Sequence, residues 1–552
     1  MKDTKARSQN EIFAAMHREL RSWNSDIPES PDRLDPILKI MLQLYAGQLA
    51  RIDKRVDNLW EIATDALVTS LYPEARRWPV PAYTVMHCTP ADELVEIDRH
   101  TTFFYREKRD GGQSFFFAPQ RTERLVNATV ARILVQAGES LIELSPEQGQ
   151  SGTARSHGTA LPERVFFAVE YAGDPSDIAG THLFIHGDRD ALRQLRWGYW
   201  YPSSADGNFY EDSGFCPGTT FSLERLVSPD EHGRTDWGGL RSSAELFGKL
   251  EDHFVTFPEA FCRTWQLGAP PPDLARLLAS HGILLDSEAG RYYWIRVDLP
   301  PEGNKQTLAG PIDASFSCVL VTNRNEQTLF KHTGGNRLVE IEIPEDLSGI
   351  LGITNIVDSD GVVYRPRHEI HADPTQASYA LEERDGHLVI WFDYTSRMDL
   401  PPDSLTVTYA VTGGIDANGI DRGEIVDLYE SHPGIAEARN LLTTTGAIPA
   451  KTRREIVDEI TLRLRARDRA LSFEEIARWA TTFDPRIRTA ACSNGIQLSE
   501  NGIRRCIVVN IEIPGRDFCS NDEIDLLKTR LAAFLKSRAP VNTQFEITST
   551  SL

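Results

Sequence analysis

Between Asp35 and about Ser70 the apolar positions fall at alternating spacings of four and three. They are Leu38, Leu42, Tyr45, Leu49, Ile52, Val56 and Leu59, with Ala63 and Ala66 continuing the register. A repeat averaging about 3.5 residues lays one narrow stripe along an α-helix, the pattern of a coiled-coil seam. Asp35 is placed to cap the first turn, Pro36 suits the first helical position, and Pro73 ends the segment by removing a hydrogen bond and clashing with the preceding turn. At 1.5 Å per residue the stripe from Leu38 to Ala66 is about 40 Å long. A shorter helix precedes it, with Ile12, Phe13, Met16, Leu20 and Trp23 at helical spacing before Pro28 and Pro31. Folded back, it covers only part of the stripe, so the long helix wants a further partner.

After Pro73 the period changes from helical to alternating, with Pro79 and Pro81 as punctuation. Strand composition recurs around Tyr83, Val85, Leu94 and Phe103, on both sides of Gly111-Gly112, and over 126–135, 140–144 and 165–171. The Gly/Ser/Gln-rich stretch 147–157 reads as a connection. Further strands are expected over 195–201, 290–299, 314–321, 337–343, 362–364, 388–394 and 405–411, with a helix over 272–281.

From Ile448 onward the expected order is helical, then β-β-α-β. Ile456, Val457, Ile460 and Leu464 mark a helix whose polar side carries Arg463, Arg465 and Arg467. Ser472-Phe473-Glu474-Glu475 and Ser520-Asn521-Asp522-Glu523 read as capping boxes, and Ser493-Asn494-Gly495 as a turn between two strands. The expected fold class is multidomain and mostly β, with an N-terminal helical, coiled-coil-like segment and a C-terminal small α+β sandwich. The expected division is 1–75, 76–175, 176–430 and 431–552.

A chain of 552 residues exceeds one ordinary core and suggests roughly three or four domains. With 41% hydrophobic and 25% charged residues the composition is that of globular proteins. No long apolar run or apolar leader is present, so direct membrane insertion is not expected and a cytoplasmic location is. Seven scattered cysteines without a C-x-x-C pair read as reduced thiols. A net charge of −21 disfavours nucleic acid and anionic membrane as partners of the whole surface.

Candidate chemistry is sparse. G-x-S-x-G, G-x-x-x-x-G-K-[ST] and G-x-G-x-x-G do not occur. His368 and His371 would point to opposite faces of a strand, and His182 and His186 read as edge-strand histidines. Asp358-Ser359-Asp360-Gly361 has two calcium-loop positions but lies between Ile356-Val357 and Val362-Val363, where a hairpin turn is the stronger reading. Trp197, Tyr199, Trp200, Tyr201, Phe209 and Tyr210 form an aromatic group suited to a core, an interface or a sugar platform. The arginines from Arg453 to Arg469 read as a solvated face or one that meets an acidic partner. No catalytic residue, metal site or cofactor is expected, and the chain reads as a non-enzyme.

A resemblance joins these features. The heptad helix followed by Leu71-Tyr72-Pro73 and Trp78-Pro79-Val80-Pro81 resembles the start of TssF, the wedge subunit of type VI secretion baseplates. Glu74-Ala75-Arg76-Arg77 departs from that pattern, where His-Tyr and a leucine are commoner. Phe257-Pro258-Glu259-Ala260-Phe261 resembles a further TssF phrase, with alanine in place of lysine. Arg196-Trp197-Gly198-Tyr199-Trp200, Arg291-Tyr292-Tyr293-Trp294-Ile295-Arg296, Phe483-Asp484-Pro485-Arg486-Ile487 and Ala539-Pro540-Val541-Asn542-Thr543 resemble phrases of phage baseplate J-like wedge proteins. The resemblance implies a structural wedge component of a contractile injection machine. It implies as partners a second copy of the chain, a TssG-like wedge protein, and sheath, spike and TssK-like adaptor proteins, in a baseplate docked at the inner membrane. Leu38, Leu42, Tyr45, Leu49, Ile52, Val56 and Leu59 are then the expected assembly interface. A wedge of an extracellular contractile particle or tailocin, and a carbohydrate-binding or carbohydrate-processing β-protein using the Trp197–Tyr201 aromatics, remain alternatives.

Overall fold

Ser8 and Glu11 open the first helix reciprocally: the Ser8 hydroxyl accepts from the Glu11 N–H, and the Glu11 carboxylate accepts from the Ser8 N–H at 2.7 Å. This helix, α1, runs Gln9–Trp23. The computed structural model describes residues 8–24, 26–50, 78–107, 112–120, 122–144, 163–186, 196–201, 208–211, 247, 250–257, 265–283, 292–298, 313–366, 377–384, 386–395, 401–499 and 502–551. Two compact units divide the chain, Met1–Ala75 and Arg76–Leu552.

In the first unit a short 3-10 turn, Pro31–Arg33, leads into α2, helical over 36–50. Asp35 caps it as its sequence position suggests, its Oδ1 accepting from the N–H groups of Ile37 at 2.9 Å and Leu38 at 3.3 Å. The Gln9 side chain donates to the Gln43 carbonyl at 3.0 Å, so the start of α1 meets the middle of α2.

The second unit is mostly β. Its central six-stranded sheet runs, edge to edge, Asp427–Leu428, Phe103–Arg106, Ser114–Pro119, Cys318–Asn323, Tyr83–Pro90 and Ile435–Asn440. Alternate residues of Tyr83–Pro90 serve different cores. Tyr83 and Val85 enter a large core shared with the C-terminal helices, and Met86 and Cys88 enter a second core with Phe103, Phe115 and Phe117. Another six-stranded sheet, around Arg164–Glu170 and Tyr293–Asp298, buries Trp265 and Trp294; α3 (Pro272–His281) packs Leu274 and Leu278 beside Trp294. A sandwich over 325–411 pairs one sheet centred on Ser404–Val411 with another centred on His387–Asp393, around Ile341, Ile353, Ile390 and Val407.

The stretch 314–321 is not the single strand its composition suggests. It breaks into Asp313–Ser315 and Cys318–Asn323, in different sheets, at Ser317 with φ +54°. The Ser317 hydroxyl replaces strand pairing there, accepting from the Val126 N–H at 2.9 Å and donating to the Val126 carbonyl at 2.6 Å.

At the C-terminal end α4 (Arg453–Ala466), α5 (Phe473–Phe483) and α6 (Asn521–Arg538) accompany a three-stranded sheet of Thr489–Ser499, Gly502–Ile513 and Phe545–Ser551. The expected turn at Ser493-Asn494-Gly495 is instead continuous strand, paired from Thr489↔Glu512 to Ser499↔Gly502. Gly495 serves close packing, because a Cβ there would overlap Val508 Cγ2. The core under α5 and α6 extends beyond the C-terminal segment to Val80, Phe184, Phe254 and Leu320. Among the described residues no helix is long and apolar enough to cross a membrane.

Candidate assembly surface

The seam residues on α2 do not share one environment. Leu42 is buried, Leu38 half-buried, and Tyr45 and Leu49 exposed; Ile52, Val56 and Leu59 lie outside the described residues. Leu42 and Ala46 are covered on the part of the helix where Gln9 of α1 arrives beside Gln43 and Gly47, and Ile12 and Leu34 are buried in the same unit. A second apolar row runs next to the seam. Ile37, Ile40, Met41, Leu44 and Tyr45 recur at i, i+3, i+4, i+7 and i+8 and therefore share a face. All five are exposed, Ile37 at 71% and Leu44 at 65%.

The apolar surface of α2 is thus broader than the narrow stripe read from the heptads, and its outer half is open. The spacing of Ile37, Ile40, Met41 and Leu44 was the available signal, masked by the better heptad fit of their neighbours. Polar contacts flank the face. Lys39 Nζ lies 2.8 Å from Asp32 Oδ1 and holds that carboxyl below its usual range through this hydrogen bond.

The other candidates resolve individually. Asp358 is the anchor of a turn: its Oδ1 accepts from the N–H groups of Asp360 and Val362, each at 2.9 Å, and its Oδ2 from the Tyr364 hydroxyl at 3.1 Å. Gly361 takes φ +81°, as such a turn requires. His182 is not on an edge. Its strand, His182–His186, lies between Phe254–Thr256 and Asp313–Ser315, and its buried ring has Nδ1 at 2.9 Å from Thr256 Oγ1 and Nε2 at 3.4 Å from Glu123. His368 and His371 lie outside the described residues. Trp197, Tyr199, Trp200 and Tyr201 occupy one strand and Phe209 and Tyr210 its antiparallel neighbour, paired Trp200↔Phe209 and Tyr199↔Tyr210. Among the described residues no cluster of three or more His, Cys, Asp or Glu side chains is placed to hold a metal ion.

The arginine-rich α4 also departs from expectation. Arg463 is buried at 1% exposure and donates to Glu459 from Nε at 3.0 Å and Nη2 at 2.7 Å, while Leu464 is exposed. The ion-paired Glu459 and Arg463, four residues apart, turn inward together with Ile456 and Ile460. The second C-terminal box is only half formed. Ser520 caps Glu523, but the Glu523 carboxylate turns to the Cys519 N–H and to Arg486.

A helical hairpin with an open apolar face, followed by a unit of several packed sheets, defines a multi-part β-rich chain. No family model and no curated protein matches it. Among solved structures it is similar to a chain of the type VI secretion system TssK-TssF-TssG baseplate subcomplex, with 14% identity, 93% of this chain and 96% of that chain covered, and a TM-score of 0.48. It is also similar to a chain of the baseplate complex from the type VI secretion system, with 15% identity, 98% and 97% covered, and a TM-score of 0.39. A third similarity is to a chain of the anti-feeding prophage baseplate, with 9% identity, 97% and 70% covered, and a TM-score of 0.27.

Proposed function

We propose that this chain is a structural component of a contractile injection baseplate, a wedge subunit of the TssF type, that works through assembly and makes or breaks no covalent bond. The observation that carries the reading is the open row Ile37, Ile40, Met41, Leu44 and Tyr45 on α2. An apolar row of this length on a helix costs free energy in water and is relieved by a long helical partner. Its support is the sequence resemblance of the segments around the helix, Leu71-Tyr72-Pro73 and Trp78-Pro79-Val80-Pro81, to the start of TssF. In this reading segment 1–75 enters a helical bundle with a second copy and a TssG-like subunit. The portions 76–175, 176–430 and 431–552 form the body that meets sheath, spike and TssK-like proteins. The assembly sits on the cytoplasmic side, docked at the inner membrane.

Co-expression with a TssG-like partner tests this. The expected result is a stable complex containing two copies of this chain, lost when Ile40 and Leu44 are both changed to Asp. A chain that is monomeric alone, well folded and indifferent to that partner would overturn the reading.

A further inference from the structure

Residues 325–411 leave the central sheet and return to it at one place. The outgoing strand Cys318–Asn323 passes through Arg324 into the sandwich, and the returning strand Ser404–Val411 ends at Thr412. Asn323 closes this neck: its Oδ1 accepts from the Thr412 hydroxyl and from the Gly413 N–H, each at 2.7 Å. Gly413 is required there, since a Cβ would meet Phe115 Cδ1 at 2.6 Å. Arg324 N–H donates to the Phe116 carbonyl at 2.9 Å, and Thr412 N–H to the Gly349 carbonyl at 2.8 Å.

The sandwich has its own core, and every described member of that core but one comes from within it. The exception is Trp78. Trp78 belongs to a run, 78–86, that is buried throughout. Its neighbours are fixed elsewhere. Val80 exchanges two backbone hydrogen bonds with Ile448, at 3.0 and 3.1 Å, and buries its side chain in the core shared with the C-terminal helices. Ala82 enters the core beneath the central sheet and accepts from the Asn323 N–H at 2.7 Å. Pro79 and Pro81 fix φ on either side of Val80 and stiffen the link.

We propose that Trp78 is a pin that sets the orientation of the 325–411 sandwich on the rest of its unit, and that withdrawing the indole frees the sandwich to hinge at the Asn323/Thr412 neck. A neck of two adjacent strands resists separation but resists rotation weakly; a bulky ring inserted from a segment anchored at Val80–Ile448 supplies the second point of attachment. Unit Arg76–Leu552 begins two residues before Trp78, so a pull on the preceding chain acts on the pin before it acts on the Val80 bridge. The pin itself does not depend on the assembly reading.

Hydrogen exchange on the full chain, resolved at the amides of Arg324, Thr412 and Gly413 and over 388–394 in the sandwich core, tests it. With Trp78→Ala the neck amides exchange at least tenfold faster while 388–394 stays within about threefold of the wild type, and Trp78→Phe restores most of the neck protection. Neck protection unchanged in a folded Trp78→Ala chain would overturn the proposal. So would collapse of the 388–394 protection in that variant, because Trp78 would then be an ordinary member of the sandwich core.

Discussion

Arg486 Nη1 donates to Glu523 Oε1 at 2.7 Å, with both side chains buried. The guanidinium also engages Asp484 through Nη2 at 2.8 Å and lies 4.3 Å from the centre of the Phe518 ring. Burial alone would lower its pKa; Asp484 and Glu523 outweigh that and raise it above the ordinary arginine range. Glu523 in turn accepts from Asn418 at 3.0 Å, so the network ties the start of α6 to the end of α5 and to the 414–447 segment. Arg486→Met leaves two buried carboxylates without their cation. Such a loss costs about 3–5 kcal/mol, read as a lower denaturation midpoint. Glu523→Gln, which keeps an acceptor for Asn418, should cost less than Arg486→Met.

Gly495 sits within a strand opposite Cys506, where a Cβ would overlap Val508 Cγ2. Gly495→Ala should therefore destabilise by about 1–3 kcal/mol through overpacking. Gly495→Ala combined with Val508→Ala should recover part of that loss. The check is chemical denaturation of the two variants side by side, and a Val508→Ala change that recovers none of the loss would show that contact with Val508 is not its cause.

Helix starts were legible in the sequence. Asp35 and Pro36 start α2, α3 runs over the expected 272–281, and Ser472 with Glu475 forms the capping box of α5, because each signal acts within about one turn of itself. Pairings across long separations left no such mark. The insertion of Cys318–Asn323 between Tyr83–Pro90 and Ser114–Pro119 depends on hydrogen bonds over roughly two hundred residues. Asn494-Gly495 looked like a turn because that dipeptide favours one, and only the approach of Val508 reveals its other use. Arg463 looked solvated because a charge is normally outside; Glu459 on the next turn, with Lys451, makes its burial tolerable. On α2 the spacing identified a helix with an apolar side, but which half of that side α1 covers is a property of the hairpin and not of the repeat.

Glu459 should make stability sensitive to acid. Burial pushes its carboxyl up, but the attractions of Lys451 and Arg463, each 2.7 Å away, outweigh it and hold the folded pKa below the ordinary 4.5. A depressed folded pKa contributes stability above the unfolded value and loses it as pH falls through the folded one. Unfolding free energy should thus decline from about pH 5 downward. Glu459→Gln should be less stable at pH 7 and show a shallower decline between pH 5 and 3. Equal slopes for the two proteins, measured by urea denaturation across that range, would remove Glu459 from the acid response.

The two halves of the α2 apolar surface predict opposite behaviour on mutation. Leu42 is buried inside the hairpin, so Leu42→Ala should cost the first unit about 2–5 kcal/mol of stability. Ile40 and Leu44 are exposed, so Ile40→Asp and Leu44→Asp should change the stability of the isolated chain by only about 0.5 kcal/mol. In the assembly the order reverses: each aspartate would carry a charge into an apolar helix interface, where an unpaired charge is strongly disfavoured. Circular dichroism of the chain alone and co-purification with its partner separate these effects. Aspartate variants that keep both their helicity and their partner would mean that this face is solvated in the assembly, and that the interface lies elsewhere on the hairpin.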